Sequence, residues 1–315
     1  MAQTIAERIF VAPMMDWTDR HCRVFLRQVS STARLYTEMI TTAALIHGDV
    51  DRHLAFSAEE HPVALQLGGS EPDELARCAR LGERYGYDEI NLNIGCPSER
   101  VQRGAFGACL MAEPDLVASC VKAIKDLVQI PVTVKHRTGI DQIEDYSFLR
   151  DFVGTVAEAG CRTFIVHARN AILKGLSPKE NREIPPLKYD YVYRLKRELP
   201  GLEIVVNGGI TSREAIEAHL RHVDGVMLGR AAYHDPWVIA DAGNSRERVV
   251  RRMYEYAKKG FPLRAVTRHM LGLYHGMPRA RLWRRMLSDA RLLGQNRPEL
   301  LLEALEAVDA SAVMA

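Results

Sequence analysis

Paired cysteines are missing from this chain. The six that occur, Cys22, Cys78, Cys96, Cys109, Cys120 and Cys161, are scattered with no CxxC spacing, which argues against a disulfide framework and a zinc site. No apolar run approaches the ~20 residues of a membrane span. The first ten residues, MAQTIAERIF, lack a charged region followed by an apolar core, so no secretory signal is expected and the cytoplasm is the expected location. Acidic residues are scarce in one region only: residues 245–285 hold 2 against 12 basic ones. What remains is globular, 47% hydrophobic and 26% charged over 315 residues. That length suits one large α/β domain or one domain with a smaller companion.

The net charge of +2 conceals this asymmetry. Residues 245–315 carry 14 Lys and Arg against 7 Asp and Glu, a net of +7, while residues 1–244 carry 28 and 33, a net of −5. One sign concentrated at one end is expected of a surface that meets polyphosphate, and nucleic acid is the expected partner.

Up to about residue 243 the sequence repeats a theme of a short β-branched run, a loop, and a helical stretch. Eight such runs occur: RIFVAP, ARLYTE, PVALQL, DEINLNIG, IPVTVKHR, RTFIVHA, EIVVNGG and DGVMLGR. Helices are expected over 72–86, 114–128, 146–159 and 212–222. Eight units at this length predict an α/β chain folded as a (β/α)₈ TIM barrel, with a doubly wound sheet as the alternative. The strand theme ends around 241–245, giving domains 1–243 and 244–315. The second is expected to be all helical, over 248–259, 263–275, 280–293 and 299–308, with Leu271, Leu273, Trp283, Met286 and Leu287 as its core.

Barrel chemistry collects at the carboxyl ends of the strands. Those ends are polar here: Pro13, Met14 and Met15; Glu38; Gln66; Asn93 to Cys96; Lys135 to Arg137; His167 to Arg169; Asn207, Gly208 and Gly209; Gly229 and Arg230. Gln66 or His167 alone could satisfy a buried hydrogen bond, and Lys135 could reach to solvent. The glycines close strands seven and eight, where barrels bind phosphate through backbone N–H groups; Arg230 would add a charge-assisted contact and Asn207 would orient the group. In the fourth run Ile90, Leu92 and Ile94 alternate with Asn91, Asn93 and Gly95, and Pro97 forbids continuation. Cys96 therefore stands where a strand breaks into a loop. A thiol there can face a ligand or serve as a small core residue. Cys109 lacks a strand-end position.

The stretches VAPMMDWTDRHCR, EHPVALQLGGS, DEINLNIGCPSERV, GACLM, VTVKHRTGID, FIVHAR, NREIPPL, VNGGI and GVMLGRAAY together resemble the tRNA-dihydrouridine synthases, over about 9–237 and in the family's order. The basic tail is similar to that family's tRNA-binding domain. LYTEM, KENREIPPL and RLWRR are most similar to the bacterial branch acting on positions 20 and 20a of the D-loop.

The resemblance implies an FMN enzyme that reduces the C5–C6 double bond of uridine and draws on NADPH. It implies that Pro13, Met14 and Met15 lie along the isoalloxazine, that Gln66, Lys135 and His167 bond its polar edge, and that Asn207, Gly208, Gly209, Gly229 and Arg230 hold its phosphate. Cys96 stands at the family's proton donor and Asn93 at its uracil contact. Hydride delivery to C6 leaves enolate-like charge that needs a proton at C5 from the opposite face, which a thiol can give. A fixed charge on Lys135 would favour the anionic reduced flavin. Arg137 would steady the uracil oxygens. The target uridine must leave its stack, at a cost of a few kcal/mol, and Lys179, Arg182, Arg281, Arg284 and Arg285 are the expected phosphate contacts. No protein partner and no membrane are implied, and a monomer is expected.

Two alternatives remain at this level. A barrel reducing a free pyrimidine, similar to the dihydroorotate dehydrogenases, would share the flavin site but leave the basic tail unexplained. A non-catalytic tRNA-binding module would leave the filled strand ends unexplained. If the tail docks RNA, affinity for tRNA is expected to fall roughly tenfold or more between 50 and 200 mM salt through counterion release. A flat response in a filter-binding titration contradicts that docking surface.

Overall fold

The computed structural model describes residues 4–143 and 145–309. Eight parallel strands form a ring: β1 (Ile9–Val11), β2 (Leu35–Tyr36), β3 (Val63–Gly68), β4 (Glu89–Ile94), β5 (Val132–Arg137), β6 (Thr163–His167), β7 (Glu203–Asn207) and β8 (Gly225–Leu228). Each is the centre of one β-branched run. Pairing runs β1-β8-β7-β6-β5-β4-β3-β2. The seam between β1 and β2 is closed at Arg34, whose N–H donates to Ile9 C=O and whose C=O accepts from Val11 N–H, both at 2.9 Å. The fold is thus the barrel, not the doubly wound sheet, which would leave two open edges. A two-residue strand, Ile40–Thr41, continues the pairing along β3.

Local chemistry sets the helix ends close to where the sequence puts them. Pro72 and Pro114 open the helices Pro72–Tyr85 and Pro114–Leu127, where a missing N–H costs nothing. Gly86, at φ +94°, ends the first of these. The Ser212 side chain accepts from Ala215 N–H to start Arg213–Leu220, and Tyr146–Glu158 begins at Asp145, which accepts from Ser147 N–H.

The two faces of the strands bury different chemistry. The main hydrophobic core, between strands and helices, takes Ile90, Leu92 and Ile94 of β4 and Val132 and Val134 of β5. A second, smaller cluster fills the ring itself: Phe10, Ala12, Tyr36, Ala64, Ile165, Val205 and Met227. The polar members of the alternation, Gln66, Glu89, Asn91 and Thr133, are buried too and bond one another across strands. Alternation in β4 therefore separates an apolar outer face from a polar inner one, with neither face in water.

Beyond residue 245 the described residues form helices only: Arg246–Ala257, Leu263–Thr267, Ala280–Ser288, Ala290–Gly294 and Leu300–Asp309. Two expected spans are shorter than the periodicity suggested. The span 263–275 ends as a helix at Thr267 and continues in turns, within which Gly272 passes so close to His234 that a Cβ would lie 2.4 Å from its carbonyl oxygen. The span 280–293 breaks at Asp289, which turns extended and accepts from Arg291 and Leu292 N–H to start a new helix.

The joint at 241–245 is pinned to the barrel. Asp241 accepts from Ser30 Oγ and Ser31 N–H, and Asn244 donates to the carbonyls of Gln28 and Val29. One apolar core runs from the barrel shell into the tail, through Val249, Met253, Leu273, Leu287 and Leu305. Trp283 sits at its centre, fully buried, with its indole N–H on the Met270 carbonyl at 2.8 Å. No helix among the described residues is long and apolar enough to cross a membrane. Because Trp283 fills this shared core, Trp283→Ala is expected to cost about 3–5 kcal/mol, read from denaturant unfolding. A loss below ~1 kcal/mol would contradict its placement.

Candidate active site

The register of the ring sets the strand-end residues side by side. Asn93 pairs with Lys135, Arg137 with His167, and His167 with Asn207. Gln66 enters from β3, where its amide nitrogen donates to Asn91 at 2.7 Å and its oxygen accepts from Asn93 at 2.9 Å. Lys135 Nζ donates to Asn207 Oδ1 at 3.2 Å, and Asn207 Nδ2 donates to the Met227 carbonyl at 2.7 Å. Five strands thus contribute to one polar floor.

Cys96 is half-buried at the end of β4, its Sγ 3.6 Å from Ser98 Oγ. Three contacts fix its loop. Asn93 Oδ1 accepts from both Gly95 N–H, at 3.1 Å, and Cys96 N–H, at 3.0 Å. Arg137 Nε donates to the Gly95 carbonyl at 3.1 Å. Ala108 N–H donates to the Cys96 carbonyl, and Gly107 approaches so closely there that a Cβ would stand 2.7 Å from that oxygen. Gly107 lies at φ +77°, so the GACLM stretch needs glycine for both reasons. Cys109 sits on this supporting turn with its thiol on the Phe106 carbonyl.

Arg137 holds two loops together. Its guanidinium is buried and donates to the carbonyls of Gly95, Asn170 and Asn181, which clamps the Cys96 loop to the long loop after β6. Asn93 likewise spends its amide oxygen on the loop backbone.

The electrostatics of the floor are those of cations without an anion. Burial, and then the neighbouring Arg137, push the Lys135 ammonium down to about 7, while the Cys96 sulfur opposes this. The expected fixed charge is therefore conditional on a partner. Burial and the surrounding Arg137, Lys135, Arg169 and Arg182 hold His167 well below its ordinary range, leaving a neutral imidazole. Burial also lowers Arg137, to about 10. Among the described residues, the charges that act most strongly on Lys135 and His167 include no carboxylate. Such a donor set suits a ligand bearing negative charge and polar edges.

At the ends of β7 and β8, Gly208 and Gly209 lie at φ +108° and +71°, conformations that side chains rarely adopt. A Cβ on Gly208 would stand 2.7 Å from the His167 ring, and one on Gly209 would stand 2.7 Å from the Tyr189 hydroxyl. Tyr189 donates to the Gly208 carbonyl at 2.6 Å. It lies after the long loop, so nothing in its own sequence marks it. Gly229 lies against Ala12 and Met14, which joins the first and last strand ends. Arg230 pairs with Glu183 at 2.5 Å, both partly exposed; a phosphate there would compete with that carboxylate. Arg169 Nε is buried without a partner nearby in the same loop.

In the loop after β1, Pro13 and Met14 are half-buried and Met15 is 58% exposed. Lys179 and Arg182 are exposed on the loop after β6, and Arg182 is close enough to Cys96 and Arg230 to feel both. Arg281, Arg284 and Arg285 are exposed on Ala280–Ser288, with no side-chain partner among the described residues. The tail does reach the strand ends, through a residue the sequence did not single out. Arg268 donates to the Asp16 carbonyl at 2.6 Å and to Asp19 at 2.8 Å. A groove of about 690 Å³ lies elsewhere, between Arg20–Val29 and Arg246–Ala257, and no strand-end residue lines it.

If the polar edge of a flavin relies on a charged Lys135, as the family resemblance implies, its binding above about pH 7 must take up a proton. Affinity of the ligand-stripped protein for FMN is expected to fall as pH rises from 7 to 9, and Lys135→Met is expected to flatten that profile. Equal slopes for both proteins in a fluorescence titration would contradict the role.

Comparison with known proteins places the chain. The family model described as Dihydrouridine synthase (Dus) matches residues 10–310. The tRNA-dihydrouridine(20/20a) synthase of Synechocystis sp. is 57% identical over 311 residues, covering 94% of this chain and 93% of its own. The protein of that name from Escherichia coli K12 is 59% identical over 297 residues, covering 90% of this chain and 86% of its own. That from Shewanella oneidensis is 57% identical over 293 residues, covering 89% and 87%.

Proposed function

The chain belongs to the dihydrouridine synthase family, and from that premise we propose that it reduces the C5–C6 double bond of uridines 20 and 20a in the tRNA D-loop to 5,6-dihydrouridine. The half-buried Cys96 thiol, held at the end of β4 beside a cation-rich floor, carries this reading. FMN, when bound, supplies hydride to C6 of the uracil, with NADPH as the source of those electrons. We assign the cofactor to 1–243 and the tRNA to 244–315.

Each residue then has a task of its own. Gln66, Lys135 and His167 bond the polar edge of the isoalloxazine, with Pro13, Met14 and Met15 along it. Neutral His167 can donate from one ring nitrogen and accept at the other. Asn207, Gly208, Gly209, Gly229 and Arg230 hold the phosphate, which requires Arg230 to leave Glu183. Asn93 contacts the uracil through its remaining amide hydrogen, while Arg137 keeps the loop and the uracil oxygens in register. Cys96 gives its proton to C5. The thiolate left behind lies within the electrostatic reach of Lys135 and Arg137, so the transfer occurs next to positive charge. Lys179, Arg182, Arg281, Arg284 and Arg285 contact phosphates around the displaced nucleotide.

The purified protein is expected to be yellow. Cys96→Ala is expected to keep its flavin and its tRNA affinity while losing ~10²–10⁴ of turnover, as for removal of a general acid. Near-wild-type turnover removes Cys96 from this role; a colourless protein that cannot take up FMN favours a binding module instead.

A further inference from the structure

We propose that Thr133 and Glu89, buried inside the barrel away from the reacting atoms, are positioning residues for Cys96, acting through a one-way chain of side-chain hydrogen bonds. The inference rests on the proposed proton-donor role of Cys96. The chain begins at the loop: Asn93 Oδ1 accepts from the Gly95 and Cys96 N–H groups, at 3.1 and 3.0 Å. Asn93 Nδ2 donates to Gln66 Oε1 at 2.9 Å, Gln66 Nε2 to Asn91 Oδ1 at 2.7 Å, and Asn91 Nδ2 to Thr133 Oγ1 at 2.8 Å. Thr133 then donates to Glu89 Oε1 at 2.6 Å, where Tyr36 also donates at 2.9 Å. Arg34 holds the other oxygen at 2.8 Å.

The direction of this chain is fixed from both ends. A backbone N–H can only donate, so Asn93 must present its oxygen to Gly95 and Cys96. A carboxylate can only accept, so Thr133 must give its single hydrogen to Glu89 and receive Asn91 on a lone pair. The two conditions demand the same orientation of all three amides between them. Reversing any one of them would set two donors or two acceptors face to face in a buried site, where each unmet group costs free energy. The acceptor-only carboxylate of Glu89 therefore selects which way the Asn93 amide points, and the Asn93 amide fixes the Cys96 backbone.

The test uses the full-length protein as purified, with Thr133→Val, Thr133→Ser and Tyr36→Phe. Turnover and KM for tRNA are measured beside peptide-resolved alkylation of the cysteines by iodoacetamide. Thr133→Val is expected to lower turnover about tenfold with KM changed less than about twofold, and to speed alkylation of Cys96 about threefold or more while leaving Cys109 unchanged. Thr133→Ser is expected to restore both. Tyr36→Phe removes a donor from Glu89 without interrupting the chain, and is expected to change neither. Unaltered turnover and Cys96 labelling in Thr133→Val overturn the proposal. So does a loss shared equally by Tyr36→Phe, or one accompanied by faster Cys109 labelling, since either assigns the effect to general loosening of the core. Should the valine variant not fold, Thr133→Ala carries the same expectations. A wild-type protein that forms no dihydrouridine would instead refute the proposed function, and the Cys96 labelling still decides the chain.

Discussion

Arg34 closes this barrel twice. Its backbone joins β2 to β1 through two bonds of 2.9 Å, and its guanidinium spans the interior to Glu89 while lying over the Phe10 ring. A ring of eight strands has no edge only if that seam holds. The charge on Arg34 also makes it tolerable to bury Glu89, whose carboxyl stays raised by burial although Arg34, Thr133 and Tyr36 pull it down in part. The seam and the polar interior therefore depend on one another. Without the arginine the buried carboxylate would keep only the hydroxyls of Tyr36 and Thr133 and no opposite charge, and an uncompensated buried charge costs far more than a paired one returns.

Above this level the interior changes sign. Glu89 and Glu203 lie at the starts of β4 and β7, whereas the ends of the later strands and the loops after them gather Lys135, Arg137, Arg169, Arg182 and Arg230, with Glu183 beside Arg230. Lys135 bonds a neutral amide, Asn207, and burial followed by the Arg137 charge pushes it down to about 7. Binding an anion there relieves a cost already present in the folded chain. The same cations surround the sulfur of Cys96, so the proposed cofactor and the proposed proton donor would share one field.

What the sequence made legible follows from the range of the interactions involved. The eight strands and their end residues could be read because β-branched runs and capping residues act over a few positions. The inner and outer faces of β4 could not, because alternation shows only that the faces differ, and a barrel buries both. The clamp at Arg137 was equally invisible: its partners, Gly95 and Asn181, are 42 and 44 positions away. Tyr189 and Arg268 were missed for that reason. The break at Asp289 was within reach, since an aspartate two and three residues before unpaired N–H groups is a capping signal. Hydrophobic periodicity through Leu287, Leu292 and Leu293 masked it.

The position of the tail is explained by a single carboxylate with two duties. Asp19 caps Arg20–Val29 by accepting from Cys22 N–H and also meets Arg268 and His269. Burial raises its pKa, but His269, Cys22 N–H and Arg268 outweigh this and hold it at about 2. The stabilisation is thus present from above the ordinary carboxylate range and is lost only as pH falls towards 2. His269 is itself buried and reaches Tyr233, whose ring stacks on Trp17 at 4.3 Å. The segment from Pro13 to Asp19 is therefore gripped at its end by its own helix, by the last strand's helix and by the tail. That segment also carries Met14 and Met15. The tail is thus fastened to the segment that carries them, and a substrate docked on the basic helices, as proposed, would be registered directly against the strand ends.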